Sequence, residues 1–210
     1  SNILQRLDYI ELNSIIVVSR EDARLERGVE EGTWPEDRSA LAMYDLVVLG
    51  HLPPGLLTAS EWEALGDFVS RDGKALCVIG GGEESSVSMP ADVAERILPT
   101  GVHAPMGISS LRDLGVTPAG RYHPSTLLLS PVLSPVDPAQ EMLASGARAL
   151  LASAPDGSPV ISCRFAGAGR VMFLSGDGLW KLLNPTLLQA HAQLFVRMVN
   201  WSVVEGEPAE

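Results

Sequence analysis

Three runs of the chain are apolar almost without interruption: SIIVVS at 14–19, DLVVLG at 45–50 and KALCVIG at 74–80. Runs of this length, rich in β-branched residues, predict strands buried on both faces, the pattern of a parallel sheet covered by helices. Between them the period changes. Ile3, Leu4, Leu7 and Ile10 are spaced for one helical face over 3–12, and Trp62, Leu65, Phe68 and Val69 form a second stripe. Thr58 or Ser60 is placed to cap that second helix, with Glu61 and Glu63 in its first turn, where carboxylates favour the positive end of the dipole. Asp72-Gly73 ends it. The charged stretch REDARLERGVEEG and a loop through Thr33-Trp34-Pro35 follow the first strand, and the prolines of HLPPGLL break the chain after the second. Helix, strand, strand, helix, strand, joined by crossover-length connections, predicts an α/β fold with a doubly wound, mostly parallel sheet.

The second half has a different rhythm. SMPADVAERILP, 88–99, reads as a short helix stopped by Pro99, and 100–140 is rich in Pro, Gly and Ser, with only short apolar runs such as STLLLS. Three strands then follow, at 147–153, 159–165 and 170–176. Ala-Pro-Asp-Gly-Ser separates the first two and Ala-Gly-Ala-Gly the last two, so the final pair is expected as an antiparallel hairpin near the C-terminus, with Gly167 and Gly169 at its permissive positions. A last helix is expected over about 185–201, with Pro185 in its first turn. Residues 3–201 thus form a single domain, and 202–210 a polar tail.

Composition narrows the partners. The formal net charge of -11 argues against nucleic acid or an anionic membrane surface, which need clustered Lys and Arg, and the sequence contains no basic run. No stretch reaches the roughly 18 apolar residues of a membrane helix. Cys77 and Cys163 each sit inside an apolar strand and read as buried thiols, with a disulfide as the alternative. His51, His103, His123 and His191 are scattered without metal-ligand spacing, so neither a metal nor another cofactor is expected.

YDLVVLG, the proline loop and LTASEWEALGDFVSRDGKALCVIGGG resemble the class I glutamine amidotransferase-like superfamily. More narrowly, they resemble the amidotransferase-like domain of bacterial membrane proteins that also carry von Willebrand factor type A modules. HPSTLLLSP, GARALLASAPDGSPVISCRFAGAGRVMFLSGDGLWKL and HAQLFVRMVNW agree. The resemblance implies a flavodoxin-like sheet and an extracytoplasmic domain of a membrane-anchored protein, with a cytoplasmic location as the alternative. Proteins of that kind begin with a strand before the helix expected at 3–12, so this chain is expected to be a piece of a larger protein.

In the resembled superfamily a Cys nucleophile stands on the sharp turn after the strand, served by a His with an acid two residues on. Here that turn is Gly80-Gly81-Gly82, Cys77 lies three residues earlier inside the strand, and His191-Ala192-Gln193 offers no carboxylate. Without an activated nucleophile and its base, glutaminase chemistry is not expected. The same turn lacks a Walker lysine and a G-x-G-x-x-G, having Ser85 at the third glycine position, and Glu83 and Glu84 oppose an anion. A tight glycine turn is the plain reading. If a ligand binds at all, the candidate rim is His51, Gly81, Gly82, Glu83, Glu84 and Asp177, each just beyond a strand whose carboxyl end faces one sheet edge. Asp177 otherwise caps its own turn, and Trp180 and Trp201 read as packing anchors rather than a sugar platform.

The expectation is a non-catalytic domain for ligand binding or protein interaction, partnered by another protein or by other domains of the same polypeptide. The alternatives are a hydrolase using Glu83 or Glu84 with His51, and a purely structural spacer.

Overall fold

The structure, a computed structural model, describes residues 9–12, 14–19, 22–27, 34–35, 37–50, 52, 55–80, 89–100, 113–175 and 188–203. They form a mixed α/β fold around a seven-stranded sheet. Its elements in chain order include β3 (Leu46–Leu49), α2 (Ala59–Ser70), β4 (Ala75–Ile79), α3 (Ala91–Ile97) and β5 (Leu114–Val116). After them come α4 (Pro118–Tyr122), β6 (Ser134–Pro135), β7 (Arg148–Ser153), β8 (Pro159–Ala166), β9 (Gly169–Leu174) and α5 (Leu188–Val203). Three elements precede these: β1 (Ser14–Ser19), β2 (Asp22–Arg27) and the short helix α1 (Arg38–Leu41).

The strand order is β3-β4-β9-β8-β7-β5-β6. β3, β4 and β9 run parallel as neighbours. β9–β8, β8–β7 and β7–β5 are antiparallel, and β6 lies parallel to β5 at the far edge. The C-terminal hairpin is where the glycines place it, but it belongs to a wider antiparallel ribbon. Its turn has Gly167 at φ 63 and no other residue of positive φ, which fits the type II′ geometry that suits strand twist. A side chain at Gly167 would run into the carbonyl of Ser70, so the turn also docks the hairpin onto the end of α2.

Helix α2 forms as its spacing predicts. Thr58 is the cap, and with Glu61 it closes a capping box that satisfies two backbone donors. Trp62, Leu65, Phe68 and Val69 are all buried. Strand alternation then sends side chains to two cores. Leu76, Val78, Val171 and Phe173 face α2 and α3, while Cys77, Met172 and Leu174 face α5 and the segment around Leu129 and Leu133. Arg96 of α3 lies over Gly66 of α2, where a Cβ would collide with the guanidinium.

Five expectations need correction. SIIVVS is a strand, but it pairs with β2 in a separate two-stranded antiparallel sheet. The charged stretch after it supplies β2, because DARLER alternates charged residues with Ala23 and Leu25 at strand period. β3 is not buried throughout: it is the sheet's edge strand, and Val48 is 46% exposed. The segment 100–140, rich in Pro, Gly and Ser and assigned no strand or helix from its pattern, contributes β5, α4 and β6. Of the helix expected over 3–12, residues 9–12 are irregular and 3–8 lie outside the described residues.

Candidate functional site

The parallel strands meet the premise behind the sequence-derived rim. β3, β4 and β9 are adjacent and point the same way, and the Gly80 N–H donates to the Leu174 carbonyl at 2.8 Å, so their carboxyl ends share one edge. His51, Gly81, Gly82, Glu83, Glu84 and Asp177 themselves lie outside the described residues, as does Trp180. Cys77 is buried within β4, and burial pushes its thiol up to about 12.

A concavity among the described residues lies at the other end of the sheet, with a volume of about 1050 Å³. Its floor is built by strand register. Arg148, the first residue of β7, stands beside Cys163 of β8, and Phe165 of β8 stands beside Arg170 of β9. One wall is a single face of α5: Gln193, Val196, Arg197, Asn200 and Trp201 follow the i, i+3, i+4, i+7, i+8 spacing, while Leu194, Met198 and Ser202 turn inward and are buried. The opposite wall is the end of α4, where Tyr122, His123 and Pro124 project. Thr117 caps that helix through the Gly120 N–H, and Thr126 Oγ1 donates to the Gly120 carbonyl at 2.6 Å, so the turn carrying His123 is held from both sides.

Aromatic rings and guanidinium groups interleave here. The Trp201 ring packs on His123 with centroids 5.0 Å apart and edge-on to Phe165 at 6.1 Å. Arg170 stacks over both Phe165 and Trp201, 5.5 and 5.6 Å from their centroids, and donates to the Trp201 carbonyl at 2.5 Å. Arg197 donates to the Pro124 carbonyl at 3.2 Å. Arg148 is exposed and makes no hydrogen bond or ion pair with the described residues. Arg164 borders the groove, but its guanidinium donates away from it, to the carbonyls of Glu95 and Leu98 at 3.1 Å each. None of the described lining residues is Asp or Glu.

The groove also holds a thiol beside an imidazole, the pairing that nucleophilic catalysis uses. Cys163 Sγ lies 4.0 Å from His123 Nε2. The chemistry runs the wrong way. The Ser125 N–H donates to His123 Nδ1 at 3.2 Å, which occupies that lone pair and puts the proton of the neutral ring on Nε2, facing sulfur. A ring in this tautomer presents the thiol with a donor rather than a base. Burial, and then the charge of Arg148, hold His123 down to about 4. Burial pushes Cys163 up to about 12, with Arg148 opposing weakly. Each shift favours the neutral member of the pair, so a thiolate–imidazolium couple is disfavoured on both sides. Cys77 and Cys163 are both free, not disulfide-bonded.

Composition could not reveal this groove, because Arg148, Arg170 and Arg197 are scattered singly and only the topology gathers them. The local signal was the exposed face of the last helix, where Arg197, Asn200 and Trp201 stand together. No group of three or more metal-ligating side chains is found among the described residues.

No family model and no curated protein matches the chain. Two solved structures share its fold. Cytoplasmic protein STM3548 from Salmonella typhimurium aligns with a TM-score of 0.58 at 16% identity, over 92% of this chain and 96% of that one. Cytoplasmic protein STM1381 from Salmonella typhimurium LT2 aligns at 0.57 and 14% identity, with the same coverage. At these identities the likeness concerns the fold alone. No helix among the described residues is long and apolar enough to cross a membrane.

Proposed function

We propose that this chain is a non-catalytic binding domain on a doubly wound, amidotransferase-like scaffold, and that its α5-side groove receives the ligand. The observation that carries the reading is the state of the Cys163–His123 pair. Among the described residues, the two groups best placed for nucleophilic chemistry are a buried thiol pushed up to about 12 and an imidazole whose proton faces it. They sit inside a groove whose other side chains are arginines, amides and aromatic rings, groups that bind rather than react.

The amidotransferase-like character rests on the sequence resemblance, supported by the three parallel strands and the helices on both faces of the sheet. Membership of a larger, membrane-anchored bacterial protein, with this domain outside the cytoplasm, rests on that resemblance alone, since the names of both structural neighbours call them cytoplasmic.

The test is chemical. The native protein should release no ammonia from glutamine and hydrolyse no activated ester, and both thiols should resist iodoacetamide until the chain is unfolded. Turnover that disappears in Cys163→Ala or Cys77→Ala would contradict the reading.

A further inference from the structure

The groove's charge selects its occupant. The chain has a formal net charge of -11, yet the described residues lining this one concavity carry Arg148, Arg170 and Arg197 and no carboxylate. Arg170 and Arg197 each spend a donor on a backbone carbonyl, which fixes their positions. Arg148 spends none on the described residues and is exposed at the groove's margin. A guanidinium fork in that state is a ready partner for a carboxylate, with two parallel charge-assisted hydrogen bonds.

Beside it the surface is apolar. Phe165 and Tyr122 are 46% and 79% exposed, with the Trp201 ring between β8 and α5. Exposed aromatic rings next to arginine are the residue types that dominate protein-interface energetics. Gln193 and Asn200, one above the other on α5, add amides able to meet a peptide backbone. A cleft of about 1050 Å³ is at the upper end of small-molecule sites and wide enough for a short length of chain. A polyphosphate partner fits less well, because nucleic-acid binding depends on many basic contacts spread along a backbone, and the rest of this chain is acidic.

We infer that the groove between α5, β8 and the end of α4 docks an acidic peptide segment of a partner protein, with a carboxylate on Arg148 and an apolar side chain on Phe165 and Trp201. This rests on the binding-domain reading above but fails separately from it: thiol turnover would sink that reading, whereas the inference stands or falls on charge.

The probe is a fluorescein-labelled peptide, Asp-Glu-Phe-Asp-Glu, titrated with the full chain and followed by anisotropy. The uncharged isostere Asn-Gln-Phe-Asn-Gln and a single-stranded ten-nucleotide DNA serve as competitors. The acidic peptide should bind saturably and more weakly as salt rises, and the isostere should compete at least about tenfold less well. Arg148→Gln should weaken the acidic peptide about tenfold with an unchanged melting temperature. The salt dependence of the unaltered protein keeps the test decisive should that variant misfold. Absence of saturable binding, equal binding of the two peptides, salt-independent binding, or displacement by DNA at concentrations below the peptide's own Kd would each overturn the inference.

Discussion

On the α2–α3 side of the sheet, Arg38, Arg71 and Arg96 converge on Asp67, with N–O distances of 3.6, 2.8 and 4.0 Å, and Asp72 and Glu63 complete the charge balance. Across the sheet, Arg170 and Arg197 donate to carbonyl oxygens, Arg170 also stacks on ring faces, and Arg148 is exposed. The same side chain therefore does two jobs in one domain. Where carboxylates surround it, it joins α1 and α3 to α2. Arg148, which makes no hydrogen bond or ion pair with the described residues, leaves an exposed positive charge at the groove's margin on an acidic molecule, the kind of local field that steers and orients an anion.

Strand β9 serves both faces of the sheet, so substitutions in it carry the largest expected effects. Phe173 points into the α2–α3 core and Met172 into the α5 core, both buried. Phe173→Ala should cost about 3–5 kcal/mol and Met172→Ala about 2–5 kcal/mol in denaturant unfolding, whereas Phe165→Ala, half-exposed in the groove, should cost about 1 kcal/mol. A Phe165 loss as large as that of Phe173 would mean that the groove is core rather than surface.

Next comes pH. His123 is held down to about 4 from an ordinary 6.5, so between these values the unfolded chain binds a proton that the folded one refuses. Stability should therefore be full above about pH 6.5 and fall as pH drops toward 4, by on the order of 3 kcal/mol at most. His123→Gln should flatten that slope in urea titrations at pH 4.5 and 7, and a slope unchanged by the substitution would place its cause elsewhere.

The balanced side predicts a smaller effect. Asp67 is mostly buried and serves three arginines, and Arg96 Nε and Nη2 make no hydrogen bond with the described residues. Asp67→Ala should cost about 1–3 kcal/mol, because it strands a partly buried guanidinium. Arg71→Gln, exposed beyond it, and Arg148→Gln on the other face should each stay within about 0.5 kcal/mol. A large loss from Arg148→Gln would show that its charge is structurally engaged after all.

The sequence was most legible where one short-range rule governs an element. A cap at Thr58 or Ser60 with Glu61 and Glu63 behind it announced α2, apolar runs announced β4 and β9, and the alternating glycines announced the β8–β9 turn. It was least legible where elements are short or charged. Thr117-Pro118 is a sound helix start, but α4 has only five residues and buries little apolar surface of its own. β2 hid behind its charges, and the edge position of β3 is a property of sheet order that no local pattern encodes. The groove was beyond reach for the same reason. Arg148, Cys163, Arg170 and Trp201 become neighbours only through the β7–β8–β9 register and the packing of α5 across it. The three parallel strands behind the rim expectation are present, because strand direction follows from local connections, while the rim residues themselves lie outside the described residues.

On the groove side Arg148 makes no hydrogen bond or ion pair with the described residues, whereas Arg38, Arg71 and Arg96 are held by carboxylates. The most direct measurement follows the arginine Nε–Hε resonances by heteronuclear NMR while the acidic peptide is titrated. Arg148 should shift and saturate while Arg38, Arg71 and Arg96 hold their positions; shifts confined to those three, or none at Arg148, would contradict the docking of a carboxylate on Arg148.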